Sequence, residues 1–331
     1  LSTGTGASDL LNAEESGVDE IVAGKAPVTA RSPLQLFWRR FRKDKVAMAA
    51  LVFIVLLVLV AIFAPLIRKI LDTPPPNDNN PAALDDFGLP SGPSGTHFFG
   101  VDDLGRDVFS RVLDGARVSL LVAFVGTGLS VAIGVTMGMI SAFYRGWVDT
   151  AIARTIDVLL AFPVLLLGLG LASACSTKDG CLGGALEPGL KVVVVIIVLA
   201  NWPYVARIIR GQVLSLREKE FVEASRSLGA SNKRIIFREI LPNLVAPIIV
   251  YTTLFIPANI ILEASLSFLG VGVTPPQASW GSMLSDASTI FASAWWYMLF
   301  PGLALVLTVL AFNLVGDGMQ DALNPKSSQS R

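Results

Sequence analysis

Long runs without Asp, Glu, Lys or Arg alternate with short charged segments along this chain. The first is Val46 to Ile67, VAMAALVFIVLLVLVAIFAPLI. A helix crossing about 30 Å of hydrocarbon at about 1.5 Å per residue needs roughly 20 apolar residues. The run therefore predicts a membrane span. Val118 to Tyr144 predicts a second, and a third has Val158 to Thr177 as its uncharged part. Val192 to Ala206 is shorter, but Lys191 and Arg207 can snorkel in opposite directions and restore a usable length for a fourth. Ile240 to Leu262 predicts the fifth, and Ala287 to Gly316 contains the sixth. The β-branched run of the fourth also suits a buried strand. A strand in a helical membrane protein has no partner edge, so helix is expected.

The charged segments orient these spans. Arg39, Arg40, Arg42, Lys43 and Lys45 precede the first, and the positive-inside rule places that end in the cytoplasm. The connection from Arg207 to Glu239 carries Arg207, Arg210, Arg217, Lys219, Arg226, Lys233, Arg234 and Arg238, and falls on the same side. The segment between the fifth and sixth spans has no Lys or Arg, as expected outside. Six spans with both termini cytoplasmic satisfy all three. Arg154 and Asp157 then lie near the inner end of the third span, where they pair one turn apart or snorkel.

The rest divides accordingly. Residues 1–30 are small, polar and mildly acidic, with no basic region followed by an apolar run. No signal peptide is expected there, but a disordered cytoplasmic tail is. Residues 31–67 form the basic segment and first span. Residues 68–115 form an extracytoplasmic loop, in which Pro74 to Pro76 forbid a helix. Residues 116–318 hold five spans and the cytoplasmic connection 207–243, and residues 319–331 form a cytoplasmic tail. Ala264 to Ser285 is uncharged but too rich in Gly and Pro for a plain span, so a structured, partly re-entrant outer segment is expected.

Composition narrows the class. The chain is 53% hydrophobic and 16% charged, with a mean hydropathy of +0.62; soluble domains hold about 25% charged residues. Zero net charge gives no bulk affinity for nucleic acid. One histidine, His97, argues against a histidine metal site and against an intramembrane enzyme built on Ser/His or HExxH. No GxxxxGK[ST] phosphate loop occurs, so the chain is expected to bind no ATP itself and to be no enzyme. Nearly charge-free spans also argue against an ion-gradient-driven secondary transporter.

One segment carries candidate chemistry. In REKEFVEASRSLGASNKRIIFREILPN, residues Phe221, Ala224, Ser225 and Leu228 fall at helical spacing on one face. Gly229 sits where a helix ends in a left-handed residue, and Ser231 can cap a second short helix from near Asn232. Pro242 suits an early-helix position or a kink. A charged pair of short helices beneath the membrane suits docking into a groove on a soluble partner.

Glu223-Ala224-Ser225, three residues, Gly229 and then Leu241-Pro242 resemble the EAA loop of ABC-importer permeases. Ser225 replaces the third Ala of the pattern, and Glu239 stands where Ile is common, with Ile240 one later. Gly100 to Asp107, running on to Gly115 to Leu120, and Leu266 to Gly281 resemble the dipeptide, oligopeptide and nickel permeases. Gly316 to Leu323 fits too. The basic stretch before the first span resembles that group's C-type subunit. The resemblance covers roughly residues 33–326. It implies a type I importer permease fold and a coupling helix seated in a cleft of the ATPase. It further implies a second homologous permease subunit, two ATPase subunits or domains that hold ATP and magnesium, an extracytoplasmic solute-binding protein and a bacterial inner membrane around them. Di- or oligopeptides are the expected solutes; nickel and oligosaccharides are the alternatives within the group.

Three further features have competing readings. Glu263, near a membrane boundary, either faces a solute path and meets a substrate amine or is a hydrogen-bonded interfacial carboxylate. Cys175 and Cys181 share an outer loop whose compartment permits a disulfide; the other reading is two reduced thiols. Gly126, Gly134 and Gly138 suit close helix packing, and Trp295, Trp296 and Tyr297 are expected as interfacial anchors.

Overall fold

Asp44 begins the first long helix by accepting hydrogen bonds from Val46 N and Ala47 N, each at 3.0 Å. The chain turns there from α1, Pro33–Phe41, into α2, Lys45–Leu71. In this computed structural model residues 33–175, 180, 181, 184 and 186–323 are described, and they form helices without a strand. The expected tail at residues 1–30 lies outside the described residues; of the tail expected at 319–331, residues 319–323 belong to the last helix and the remainder lies outside the described residues. Helices α3, Val108–Tyr144, and α6, Leu190–Arg217, form the most extensive pair. Between them lie α4, Gly146–Ala161, and α5, Val164–Ala174. The short α7, Glu220–Ser227, leads to α8, Asn232–Phe268, which contains a π-helical stretch at Ile235–Ile240. α9, Trp280–Ala287, and α10, Trp295–Leu323, complete the fold.

Five of these helices, α2, α3, α6, α8 and α10, are long and apolar enough to cross a membrane. A sixth crossing requires that a bent pair count as one span. α4 and α5 meet at 87°, so the third span expected from the uncharged run is two helices. Phe162 is extended (φ −87°, ψ 132°), as the residue before Pro163 must be to avoid its ring. Other boundaries move as well. α3 begins at Val108 rather than Val118, α8 continues past Leu262 to Phe268, and α10 begins at Trp295.

The expected glycines seat α6 on α3. A Cβ at Gly126 would lie 2.6 Å from Ile197, and one at Gly138 would lie 2.6 Å from the carbonyl oxygen of Ala206. The segment between α2 and α3 is tied down by charge. Asp102 is fully buried and accepts from the backbone N–H of Leu104 and Arg106 and from Arg106 Nε at 2.7 Å. Burial, then the neighbouring Asp102 carboxylate, pushes the Asp103 carboxyl above its usual range. His97 Nδ1 lies 2.9 Å from Asp107 Oδ2, while Asp107 Oδ1 caps α3 by accepting from Ser110 N. Trp296 and Tyr297 are 8% and 0% exposed, which corrects their reading as interfacial anchors; Trp296 Nε1 instead donates to Val101 O. Trp295 is the exposed member of the three.

Candidate coupling site

Val222 is 0% exposed and roots α7 in an apolar cluster with Val213 of α6, Met139 and Phe143 of α3, and Ile235, Ile240 and Leu244 of α8. The residues around it point away from the chain. Phe221, Glu223 and Ala224 are exposed, Ser225 is half-buried and Leu228 is 88% exposed. The face expected from helical spacing therefore exists, but among the described residues it stands largely exposed. Gly229 follows at φ +77°, and Ala230 N donates to Ser225 O, closing the turn. Ser231 caps the next helix by accepting from Arg234 N. That helix is not short: it continues through the π-helical stretch into α8. Half-buried Leu241 and exposed Pro242 stand where the α-helix resumes.

Arginines brace this platform, which spacing did not reveal. Arg217 Nη1 donates to Phe143 O at 2.6 Å, and its guanidinium lies 5.9 Å over the Phe143 ring. It satisfies a carbonyl that the end of α3 leaves free. Arg210 donates two hydrogen bonds, at 2.6 and 2.7 Å, to Asp149 of α4, which also accepts from Ser141 Oγ of α3. Arg145 pairs with Glu218 at 2.5 Å. These cations read as loop charges in the sequence, yet Arg207, Arg210 and Arg217 lie on α6, which runs beyond its expected end at Ala206. Arg207 reaches Asp157 at 2.8 Å, and Arg154 lies 3.8 Å from the same carboxylate.

Glu263 lies elsewhere, and its hydrogen bonds match the second of its two expected readings. It is 0% exposed, accepting from Ser119 Oγ of α3 at 2.8 Å and from Ser267 Oγ at 2.7 Å. One turn earlier Asn259 donates to Thr127 Oγ1 of α3 and accepts from Asn201 Nδ2 of α6. Cys175 and Cys181 are joined by a disulfide, with a Cα–Cα separation of 4.7 Å. No group of three metal-ligating side chains occurs among the described residues.

The described helices form a multi-pass bundle with an exposed helix–glycine–helix loop, and the chain is the membrane-spanning subunit of a transporter. The chain belongs to the family of binding-protein-dependent transport system inner membrane components, which matches residues 134–329. Residues 32–85 match the N-terminal transmembrane domain of oligopeptide transport permease C.

The chain is 41% identical to the dipeptide transport system permease protein DppC of Alkalihalophilus pseudofirmus, over 90% of this chain and 91% of that one. It is 43% identical to the glutathione transport system permease protein GsiD of Escherichia coli, over 91% and 93%. The fold matches a chain of the MetNI methionine ABC transporter in inward-facing conformations. The TM-score is 0.52 at 18% identity, covering 63% of this chain and 94% of that one. The chain is thus a multi-pass permease subunit of an ABC importer of the bacterial inner membrane. It is not an enzyme, because the ATPase is a separate subunit, and an ATPase and a binding protein are its partners.

Proposed function

We propose that this chain forms half of the translocation pathway for di- or oligopeptides and transmits ATP-driven motion through α7. A second homologous permease subunit supplies the other half. Two ATPase subunits hold ATP and magnesium, and an extracytoplasmic binding protein delivers the solute. The end bearing α7 and both termini is cytoplasmic, in keeping with the cations at residues 39–45 and 207–238. The relatives named for dipeptide and glutathione transport support a peptide solute.

One observation carries the coupling role. Phe221, Ala224 and Leu228 stand uncovered while Val222, between them, is fully buried among α3, α6 and α8. An ATPase cleft that grips the open face would pull on the spans through that root. Because a ligand shifts an equilibrium only by its differential affinity for the two states, loaded binding protein and nucleotide must both favour the same state.

The test is ATP hydrolysis by the reconstituted complex, with binding protein empty or loaded with a dipeptide. Stimulation that requires both this chain and peptide is expected. Stimulation only by a nickel chelate or a sugar would retain the architecture and overturn the solute. Gly229→Val places a β-branched residue at φ +77°. That variant is expected to insert and assemble, yet lose most peptide-stimulated hydrolysis. Unchanged stimulation would remove α7 and its turn from the coupling role.

A further inference from the structure

Helix α1 and the residues just after it present five cations close together in the chain. Arg39, Arg42, Lys43 and Lys45 are exposed and Arg40 is half-buried. None of the five joins an ion pair among the described residues. The one carboxylate within the run, Asp44, turns inward to cap α2. The cations therefore stand together without an ion pair to a described carboxylate.

The helix bearing them is held in place. Phe37 and Phe41 stack at 5.9 Å, and Phe41 is 2% exposed in the cluster that joins α1, α2 and α10. Gly318 of α10 makes the seat, since a Cβ there would collide with Ala47 and crowd Phe41. Leu36 and Trp38 remain exposed on α1, and the Arg42 guanidinium lies 5.9 Å over the Trp38 ring. The next helix is the first membrane crossing, so α1 lies at the boundary between hydrocarbon and water. A rigid helix there, with an open indole, an open leucine and these cations, has the makeup of an interfacial helix that meets anionic headgroups.

We propose that α1 and residues 42–45 form a binding surface for anionic phospholipid. The headgroup phosphates take Arg39, Arg40, Arg42, Lys43 and Lys45, and Leu36 and Trp38 sit among the upper acyl carbons. The arrangement does not depend on the transported solute or on α7. It would hold whichever side of the membrane this end faced, so its failure and that of the peptide-importer reading are separable.

The whole complex, purified and placed in discs of phosphatidylcholine mixed with phosphatidylglycerol, supplies the test. After detergent exchange, the lipids retained per complex are measured by mass spectrometry. Preferential retention of phosphatidylglycerol is expected, falling steeply as salt is raised. The triple variant Arg39→Gln, Arg40→Gln, Arg42→Gln is expected to lose that preference by roughly a hundredfold, since each cation near an anionic surface contributes about a fivefold factor. Equal retention by wild type and variant overturns the proposal. So does loss of the ATPase subunits from the variant with phosphatidylglycerol retention unchanged, which would assign the cations to a protein partner. Should the variant fail to assemble, the wild-type complex still decides: a phosphatidylglycerol preference that ignores salt, or no preference, rules the surface out.

Discussion

Glu263 shows how one buried carboxyl group fastens three segments. Ser119 Oγ reaches it from α3, Ser267 Oγ from one turn along α8, and Ser267 Oγ also accepts from Val273 N in the segment before α9. Replacing Glu263 with Ala would remove an acceptor from two sealed hydroxyls and leave a hole. An unpaired buried polar group costs roughly 1–3 kcal/mol, so Glu263→Ala is expected to lower the melting temperature of the purified complex by several degrees. Glu263→Gln, which can still accept from one serine, should lose less. A melting temperature for the alanine variant equal to wild type would show that the seam does not hold these segments. The sequence marked Glu263 as unusual because of its charge among apolar neighbours. It could not mark the partners, because Ser119 is 144 positions away and serines occur throughout the spans. Gly229 was legible for the opposite reason: its left-handed turn is fixed by adjacent residues alone.

At the scale of elements, local signals set where helices lie and pairing sets where they end. Charge-free runs located the five long apolar helices and part of the bent pair α4–α5. They misplaced the start of α3, where Arg111 and Asp114 sit within the helix. Asp114 is paired with Arg68 at 2.6 Å and Arg111 lies 3.4 Å from Asp102, so their charge does not end the helix there. They also missed the break between α4 and α5, because Pro163 adds no charge to an apolar run. The α4–α6 brace is testable in the same terms. Asp149 and Arg210 make a bidentate pair with 20% and 34% of their side chains exposed. Charge-assisted bidentate pairs are among the stronger hydrogen bonds, but partial exposure screens them. A double-mutant cycle with Asp149→Ala and Arg210→Ala is expected to give a coupling of about 1 kcal/mol in unfolding of the complex. A coupling indistinguishable from zero would mean that this pair does not help to hold α4 to α6, leaving apolar packing and the Arg207–Asp157 pair.

The whole molecule joins its two ends through one set of helices. The root of α7 rests on α3, α6 and α8, and the same three helices carry the polar seam of Asn201, Asn259, Thr127 and Glu263 farther along the bundle. Close-packed cores with satisfied polar groups move between discrete arrangements rather than bending continuously. A pull on α7 should therefore turn α3, α6 and α8 as one body. The two cysteines of the chain are already bonded to each other, so introduced thiols can be labelled selectively. Spin labels at Glu220→Cys, where α7 begins, and Ser288→Cys, just past α9, mark the two ends at exposed positions. Their separation is expected to stay constant when ATP is added to the assembled importer. The separation between Ser288→Cys and a label on the second permease subunit proposed above should shift by several ångströms in the same sample. If the distance within this chain changes while hydrolysis proceeds normally, the seam opens during the cycle. Motion would then pass along the chain by helices sliding over one another, and the hydroxyls around Glu263 would exchange partners at each turnover.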